Sequence, residues 1–210
     1  MGFYAVASGR KIGIFNTWND CCDMVKGFKN AIYKKFNNIE DAKDFITKNT
    51  ENQNMKIDYC IYTDGACRNN GNQNSQAGIG IYFGENDNRN VSKKVNGIKQ
   101  TNNVAELLAI NIAFYIIEED LKQNKKIEIY SDSIYAINNL RFYGASYEIL
   151  NWKKDMPNKE LIKSTYELYK KYINKNIFLK YIKAHTNNKD IHSIGNYNAD
   201  RLANIAIDLI

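Results

Sequence analysis

The spacing of apolar residues divides the chain into two stretches with different patterns. Residues 3–15 contain two short β-prone runs that are separated by a polar turn of hairpin length. A further apolar and basic run at residues 31–36 leads into residues 39–46, where the apolar spacing suits a helix. These patterns predict a small α+β domain at residues 1–47, followed by a polar linker without periodicity at residues 48–55.

From Lys56 onward the pattern changes to alternating or continuous apolar strands mixed with longer helical segments. The order of these elements predicts an α/β domain over residues 56–210, with a mixed sheet flanked by helices. The predicted strands are residues 57–63, 79–83, 91–95, 127–131 and 177–182, and the predicted helices are 104–117, 134–140, 160–173 and a last one from about Ala199.

Composition limits the function classes but does not select one. With 210 residues and 44% hydrophobic content, the chain can bury one core and a second small one. No apolar run approaches the length of a membrane span, so we expect no membrane partner. The four cysteines lack metal-ligand spacing, and this indicates a reducing compartment inside the cell, either nucleus or cytoplasm. The net charge of +6 permits a polyanionic partner.

Four acidic residues stand at the ends of predicted elements, where side chains from distant segments can converge. They are Asp64, Glu106, Asp132 and Asp200. Each has a plain structural explanation: a turn for Asp64, a solvated helix position for Glu106, and helix caps or helix starts for the other two. The interpretation as a site depends on their appearing together.

Two of these carboxylates follow closely similar strand endings, which are Ile-Tyr-Thr-Asp64 and Ile-Tyr-Ser-Asp132. In a mixed α/β sheet, ligands bind at such carboxyl ends of strands. Two carboxylates about 4 Å apart repel each other by about 4 kcal/mol at an effective dielectric constant near 20. Divalent cations relieve this repulsion, and oxygen ligands favour Mg²⁺ or Mn²⁺. The pattern therefore predicts a metal site suited to phosphoryl chemistry.

Five motifs in order over residues 57–207 resemble those of the type 1 ribonucleases H. The motifs are Tyr62-Thr63-Asp64-Gly65-Ala66-Cys67, Gly78-Ile79-Gly80, Thr101-Asn102-Asn103-Val104-Ala105-Glu106, Tyr130-Ser131-Asp132-Ser133 and Asn198-Ala199-Asp200-Arg201-Leu202-Ala203. The resemblance implies a five-stranded mixed sheet flanked by helices. It also implies cleavage of the RNA strand of RNA·DNA hybrids, which leaves 5′-phosphate and 3′-hydroxyl ends.

The same resemblance implies roles for individual residues. Asp64, Glu106, Asp132 and Asp200 would be catalytic and would hold two Mg²⁺ ions, with Mn²⁺ as a substitute. His185 matches the family's mobile catalytic-loop histidine, although Lys-Ala-His-Thr replaces the usual Gly-His-Ser. An imidazole there could accept a proton or help product leave. For the second histidine, His192, we expect substitution to have little effect.

Candidate substrate contacts come from short amides, because the 2′-hydroxyl that distinguishes RNA from DNA is both a donor and an acceptor. Asn70, Asn102 and Asn103 match the family's amide positions, and Thr101 and Lys99 match its grip on a DNA-strand phosphate. Asn158 is a weaker candidate for that phosphate pocket. The plain explanation for the asparagines is loop residues in an Asn-rich protein.

Residues 1–46 resemble the hybrid-binding domain of eukaryotic-type members of the family. Aromatic side chains among cations suit nucleic acid, since rings pack on sugars and ammonium groups neutralise phosphates. By this resemblance Tyr4, Lys34 and Lys35 face the duplex, and Trp18 and Tyr33 pack against the DNA strand. Alternatively, Trp18 and Tyr4 are core residues of a very small domain.

Three functions are consistent with these observations. The first is a monomeric endonuclease for RNA·DNA hybrids that also binds double-stranded RNA more weakly. The second is a nuclease module derived from a reverse transcriptase. The third is a catalytically silent protein that binds RNA·DNA or double-stranded RNA. A further choice concerns Trp152-Lys153-Lys154, which is either a shortened basic protrusion or a core tryptophan beside a solvated lysine pair.

Overall fold

A three-stranded sheet and a five-stranded sheet form the framework of the protein. The structure is a computed structural model that describes residues 2–50, 56–97, 99–173, 176–184 and 188–208. Contacts divide the chain into unit 1, residues 1–55 with 138–159, and unit 2, residues 56–137 with 160–210. Among the described residues, no helix is long and apolar enough to cross a membrane.

Unit 1 begins with a small antiparallel sheet in the order β2-β1-β3. Helix α1 begins after Thr17, whose hydroxyl accepts a hydrogen bond from the backbone N–H of Asp20 at 3.2 Å. Ala5, Val6 and Ile46 are fully buried, and β1 contacts both α1 and α2. The elements are β1 (Phe3–Ser8), β2 (Gly13–Phe15), α1 (Trp18–Val25), β3 (Ile32–Phe36) and α2 (Ile39–Thr50).

Unit 2 is built on a mixed sheet in the order β6-β5-β4-β7-β8, antiparallel from β4 to β6 and parallel from β4 to β8. This confirms the predicted fold class. The elements are β4 (Tyr59–Arg68), β5 (Gln76–Tyr82), β6 (Val91–Lys94), α3 (Asn102–Ile116), α4 (Glu118–Lys122), β7 (Ile127–Ser131), α5 (Ile134–Ile137), α6 (Gly144–Ile149, in unit 1), α7 (Lys159–Lys170), β8 (Ile177–Tyr181) and α8 (Ile191–Asp208).

Helices α3 and α8 cover opposite faces of the five-stranded sheet, and two glycines permit the close approach. A Cβ atom at Gly65 would lie 2.2 Å from the backbone nitrogen of Glu106 in α3. One at Gly80 would lie 1.9 Å from the carbonyl oxygen of Ala199 in α8. Gly80 pairs with Asp64 across the strands, so the α8 face is the face that carries Asp64.

The predicted second domain, residues 56–210, includes residues 138–159. In the structure, the contacts of these residues group them with residues 1–55. Helix α5 continues through a π-helical stretch, Asn138–Tyr143, into α6. Phe142 and Ala145 are buried, and α6 packs against β2. Lys11 also forms a 2.5 Å ion pair with Glu148. The boundaries at residues 47 and 56 stay predictions, while the assignment of residues 138–159 to the second domain does not match these contacts.

The last helix begins earlier than the predicted start near Ala199. Asp190 caps it, because its Oδ1 accepts hydrogen bonds from the backbone N–H groups of His192 and Ser193, both at 3.0 Å. The stretch from Ile191 to Asn198 contains serine, glycine and two asparagines, which have low helix propensity. The cap and the packing on the sheet outweigh that propensity. Helix α2 likewise extends through Thr50 into the predicted linker, and residues 51–55 lie outside the described residues.

Candidate active site

Three of the four predicted carboxylates converge at one end of the sheet in unit 2. Asp64 lies in β4, Asp132 directly follows β7, and Glu106 lies near the start of α3. One carboxylate oxygen from each residue lies within 4.8 Å of the other two. The parallel pairing of β4 and β7 runs as far as Thr63 and Ser131, so Asp64 and Asp132 follow it side by side. Strand β4 itself continues to Arg68, beyond the predicted strand end at residue 63. Glu106 and Asp132, which follow Asp64 by 42 and 68 positions in the chain, are thus brought close to it.

The carboxylate centre is a site of strong electrostatic conflict. Asp64 is only 6% exposed and Glu106 only 5%. Burial, with the charges of Asp132 and Asp200, raises the pKa of Asp64 to about 8, although the Gly65 N–H donates to its Oδ1 at 2.7 Å. Burial, with the charges of Asp64 and Asp132, also holds the pKa of Glu106 well above its usual value. Without a counter-charge, the centre favours bound protons.

Asp200 lies on α8 at the edge of this centre. Its charge contributes to the raised pKa of Asp64, but it is not one of the three residues whose oxygens fall within 4.8 Å. Asn204, one turn further along α8, donates to its Oδ1 at 2.9 Å. The structure therefore brings Asp200 to the charge of Asp64, although its oxygens do not lie within 4.8 Å of all three other carboxylates.

The predicted amide readers lie beside one another at the start of α3. The N–H of Asn102 donates to Asn70 Oδ1 at 3.3 Å, and both side chains are exposed, as is that of Asn103. Thr101 caps α3, because its hydroxyl accepts from the Val104 N–H at 3.3 Å. Lys99 is exposed and lines a groove that also contains Gly71, Asn72, Gln73, Ser75 and Gln100. Glu106 lies on the first turns of the same helix.

In unit 1, three aromatic residues and a lysine form one continuous surface, which we call the aromatic–lysine surface: Tyr4, Trp18, Tyr33 and Lys35. The ring of Trp18 lies 5.8 Å from that of Tyr4 and 6.0 Å from that of Tyr33. The ammonium group of Lys35 lies 5.4 Å from the centre of the Tyr4 ring. Trp18 and Tyr33 are each 45% exposed, so they are not core residues.

Two further predictions about basic segments are refined by the structure. Lys34 lies on the opposite face of β3 from Tyr33 and Lys35, with its ammonium group 5.4 Å from the Phe36 ring. Trp152 is buried against Tyr147, and Lys153 and Lys154 are exposed. The segment is therefore a core tryptophan with a solvated lysine pair.

The predicted roles of the substrate-contacting residues and of His185 stay predictions. His185 lies outside the described residues. Asn158 lies in unit 1, where it has a left-handed backbone with φ of 60°. Its assignment to the phosphate pocket of Lys99 and Thr101 is not tested.

Asn196 was not identified from the sequence, although its side chain binds one of the three converging carboxylates. Its side-chain Nδ2 donates to Asp132 Oδ2 at 3.0 Å, and the residue is 5% exposed. The only available signal was its position four residues before Asp200, which places both on one face of a helix. That signal was lost because the helix was predicted to begin near Ala199.

The centre fits divalent cations. Its donors are carboxylate oxygens, which are the ligands that Mg²⁺ and Mn²⁺ prefer. Glu106 Oε2 is buried without a hydrogen-bond partner among the described residues, and such an atom is costly unless something binds it. The fold and the site together define an α/β enzyme whose acidic centre lies where the parallel pairing of β4 and β7 ends and is suited to divalent metals.

Comparisons with known proteins agree with this class. A family model described as RNase H matches residues 56–208, and one described as Ribonuclease H1 N-terminal domain matches residues 2–46. The protein belongs to the ribonuclease H family, with the type 1 arrangement of an N-terminal domain before the nuclease domain. This family hydrolyses the RNA strand of RNA·DNA hybrids and depends on divalent metal.

Individual relatives are similar over most of their length. A ribonuclease H from Schizosaccharomyces pombe is 28% identical, covering 96% of this chain and 95% of the relative. Human ribonuclease H1 is 30% identical over 75% of each chain. The solution structure of a foamy virus (PFV) RNase H domain has the same fold, with a TM-score of 0.55 and 22% identity over 74% of this chain and 97% of that one.

Proposed function

We propose that the protein is an endonuclease that hydrolyses the RNA strand of RNA·DNA hybrids with two divalent cations, leaving 5′-phosphate and 3′-hydroxyl ends. The observation that carries this proposal is the convergence of Asp64, Glu106 and Asp132, whose carboxylate oxygens lie within 4.8 Å of one another. Mg²⁺ is the proposed cofactor, and Mn²⁺ a substitute.

The carboxylates would hold the cations in this proposal. Asp64, Glu106 and Asp132 would supply the converging oxygen ligands, and Asp200 would complete the set from α8. The cations supply the charge that activates the attacking water and stabilises the leaving 3′ oxygen. Asn196 holds Asp132 in one orientation through its 3.0 Å hydrogen bond. The Gly65 N–H does the same for Asp64 Oδ1.

Recognition of the hybrid is divided between the two units. In unit 2, the neighbouring amides of Asn70, Asn102 and Asn103 would read 2′-hydroxyls, and Lys99 with Thr101 would hold a DNA-strand phosphate. In unit 1, the aromatic–lysine surface would stack on sugars and neutralise phosphates, and Lys34 would contribute a further charge. The protein would act on the hybrid as a monomer and would bind double-stranded RNA more weakly.

A cleavage assay tests this function directly. The protein is incubated with an RNA·DNA hybrid, double-stranded RNA and double-stranded DNA of the same sequence, with Mg²⁺ or with a chelator. We expect RNA-strand products from the hybrid only, with 5′-phosphate ends, and no cleavage with the chelator. Hybrid binding without cleavage in Mg²⁺ and in Mn²⁺ would instead identify a catalytically silent binding protein.

For His185, we predict that substitution by alanine lowers turnover by about one to two orders of magnitude with little loss of hybrid affinity. The reason is that the family resemblance makes His185 a candidate to assist proton transfer or product release, and acid–base assistance contributes about a hundredfold or more when it is complete. Single-turnover and steady-state rates on one hybrid, together with an equilibrium binding curve, measure both quantities. A variant with wild-type turnover would remove His185 from the mechanism.

A further inference from the structure

The face of the sheet that carries the carboxylates also carries an aromatic pair directly beside them. In the parallel register of β4 and β7, Tyr62 lies opposite Tyr130, and the next residues on that face are Asp64 and Asp132. The two tyrosine rings are stacked, with centroids 5.4 Å apart. The tyrosine pair is thus one residue pair away from the metal centre along both strands.

His192, in the first turn of α8, sits on this tyrosine pair. Its ring stacks on Tyr130 at 4.3 Å, and its Nδ1 lies 3.0 Å from the Tyr62 hydroxyl. The Tyr130 hydroxyl donates to Glu128 at 2.8 Å, and its oxygen lies 3.4 Å from His192 Nε2. A neutral imidazole with its proton on Nε2 satisfies both contacts, because Nδ1 then accepts from Tyr62 and Nε2 donates to Tyr130.

The same helix face then reaches the metal centre. His192, Asn196 and Asp200 are spaced four residues apart, so they lie in one row along α8. Asn196 binds Asp132, and Asp200 is close enough to raise the pKa of Asp64. From His192 to Asp200 the helix rises about 12 Å.

The first turns of α8 bury few large apolar side chains against the sheet. Ile191 and Ile194 are 73% and 47% exposed, so they bury little apolar area. Gly195 lies directly on the Tyr62 ring, where an added Cβ would come within 2.3 Å. This contact has no side chain of its own to lock the helix in place. His192 supplies polar contacts from the first turn to both β4 and β7, through Tyr62 and Tyr130.

We propose that His192 is a positioning residue that anchors the start of α8 to Tyr62 and Tyr130 and so sets Asn196 and Asp200 against Asp132 and Asp64. The inference rests on the proposed function, because it concerns the geometry of the same metal centre. It differs from the expectation drawn from the sequence, in which His192 was dispensable. Loss of the anchor lets the helix start shift, and the shift is transmitted to the two residues that lie one and two turns further along.

The test compares His192→Ala with Ile191→Ala, a change at the neighbouring exposed position on the same turn. Mn²⁺ binding is measured calorimetrically, and cleavage of one hybrid is measured over a range of Mg²⁺ concentrations. For His192→Ala we expect about tenfold weaker metal binding and a similar rise in the half-saturating Mg²⁺ concentration. Turnover at saturating metal stays within about threefold of wild type, and KM for the hybrid within about twofold. Ile191→Ala behaves as wild type.

Two further measurements separate positioning from general stability. His192→Phe keeps the ring stack but loses both hydrogen bonds, so its metal affinity should lie between those of wild type and His192→Ala. Hydrogen exchange should quicken in the first turns of α8 but not in β4 or β7. A His192→Ala protein with a lower Tm and unchanged metal affinity would overturn the proposal. If the wild-type protein binds no Mn²⁺, the proposed metal centre is wrong. The role of His192 is then tested by hydrogen exchange alone, and unchanged exchange in α8 of His192→Ala would overturn it.

Discussion

The carboxylate centre of unit 2 and the aromatic–lysine surface of unit 1 achieve their chemistry in opposite ways. Asp64 and Glu106 are 6% and 5% exposed and are acidic groups of like charge, whereas Trp18 and Tyr33 are each 45% exposed, and the Lys35 ammonium group lies over the neighbouring Tyr4 ring. Buried charges interact strongly because little solvent screens them, while exposed contacts are weak and nearly independent. The centre should therefore fail as a whole when one member is lost, and the surface should lose function in small steps.

The substitution Asp64→Asn tests whether the carboxylate centre fails when one member is lost, and it should have the largest effect. The amide keeps the shape but loses the charge that holds metal, so we expect cleavage to fall by about a thousandfold or more while hybrid binding stays measurable. Asp155→Asn, which removes an exposed carboxylate in unit 1, is the matched control and should cleave normally. Cleavage rates and equilibrium binding curves for both variants on the same hybrid measure the two effects. Substantial hydrolysis by Asp64→Asn in Mg²⁺ would contradict the assignment of the four carboxylates.

A smaller effect is expected from removing Lys34 and Lys35 together. Each lysine neutralises up to one phosphate, so the slope of log affinity against log salt should fall in magnitude by up to about 2. Fluorescence anisotropy with a hybrid at several salt concentrations measures the slope. The two single variants show how much each lysine contributes to the slope. Lys35→Ala should account for more of the change than Lys34→Ala, because only Lys35 lies over the Tyr4 ring.

The control for this experiment is Lys163→Ala with Lys171→Ala, which removes two exposed positive charges from unit 2. It lowers the net charge equally, so it tests whether position matters. We expect an unchanged slope. If both double variants lower the slope to the same extent, the lysines of unit 1 act only through overall charge, and the aromatic–lysine surface is not the binding site.

The smallest predicted effect concerns stability and pH in the absence of metal. The pKa of Asp64 is about 8 in the folded protein and near 3.8 when the chain is unfolded. At pH values between these two pKa values, the folded state holds a proton that the unfolded state has released. This carboxyl group therefore favours the folded state at low pH. That contribution is lost as the pH rises toward about 8. The metal-free protein should therefore become less stable over this range, and Mg²⁺ should offset the loss.

Thermal unfolding of wild type and Asp64→Asn in a chelator, at several pH values between 5 and 9, isolates the contribution of this carboxyl group. The variant lacks the titrating group, so its Tm should fall less with pH, and at high pH it should exceed that of wild type. Each kcal/mol of difference corresponds to about 2–4 °C in a protein of this size. Parallel Tm curves for the two proteins would show that burial of Asp64 has no electrostatic cost.

Prediction from the sequence worked where a residue's role follows from its place in a regular element. The similar sequences before Asp64 and Asp132 predicted their convergence, because these segments pair in parallel register, although β4 continues to Arg68 instead of ending before Asp64. It was less accurate where packing outweighs local preference. Helix α8 extends eight residues before Ala199 despite poor helix formers, and Asn196 and His192 consequently lacked a predicted place.

By itself, the sequence determined the fold class, the family and the identity of the carboxylates, because alternation, apolar spacing and short motifs are local properties of the chain. Only the tertiary structure decided which groups share an environment. It made Asp64 and Glu106 buried neighbours with raised pKa values, left Trp18 exposed, and grouped residues 138–159 with unit 1. Burial and distance depend on contacts between residues that are far apart in the chain, and no local pattern encodes them.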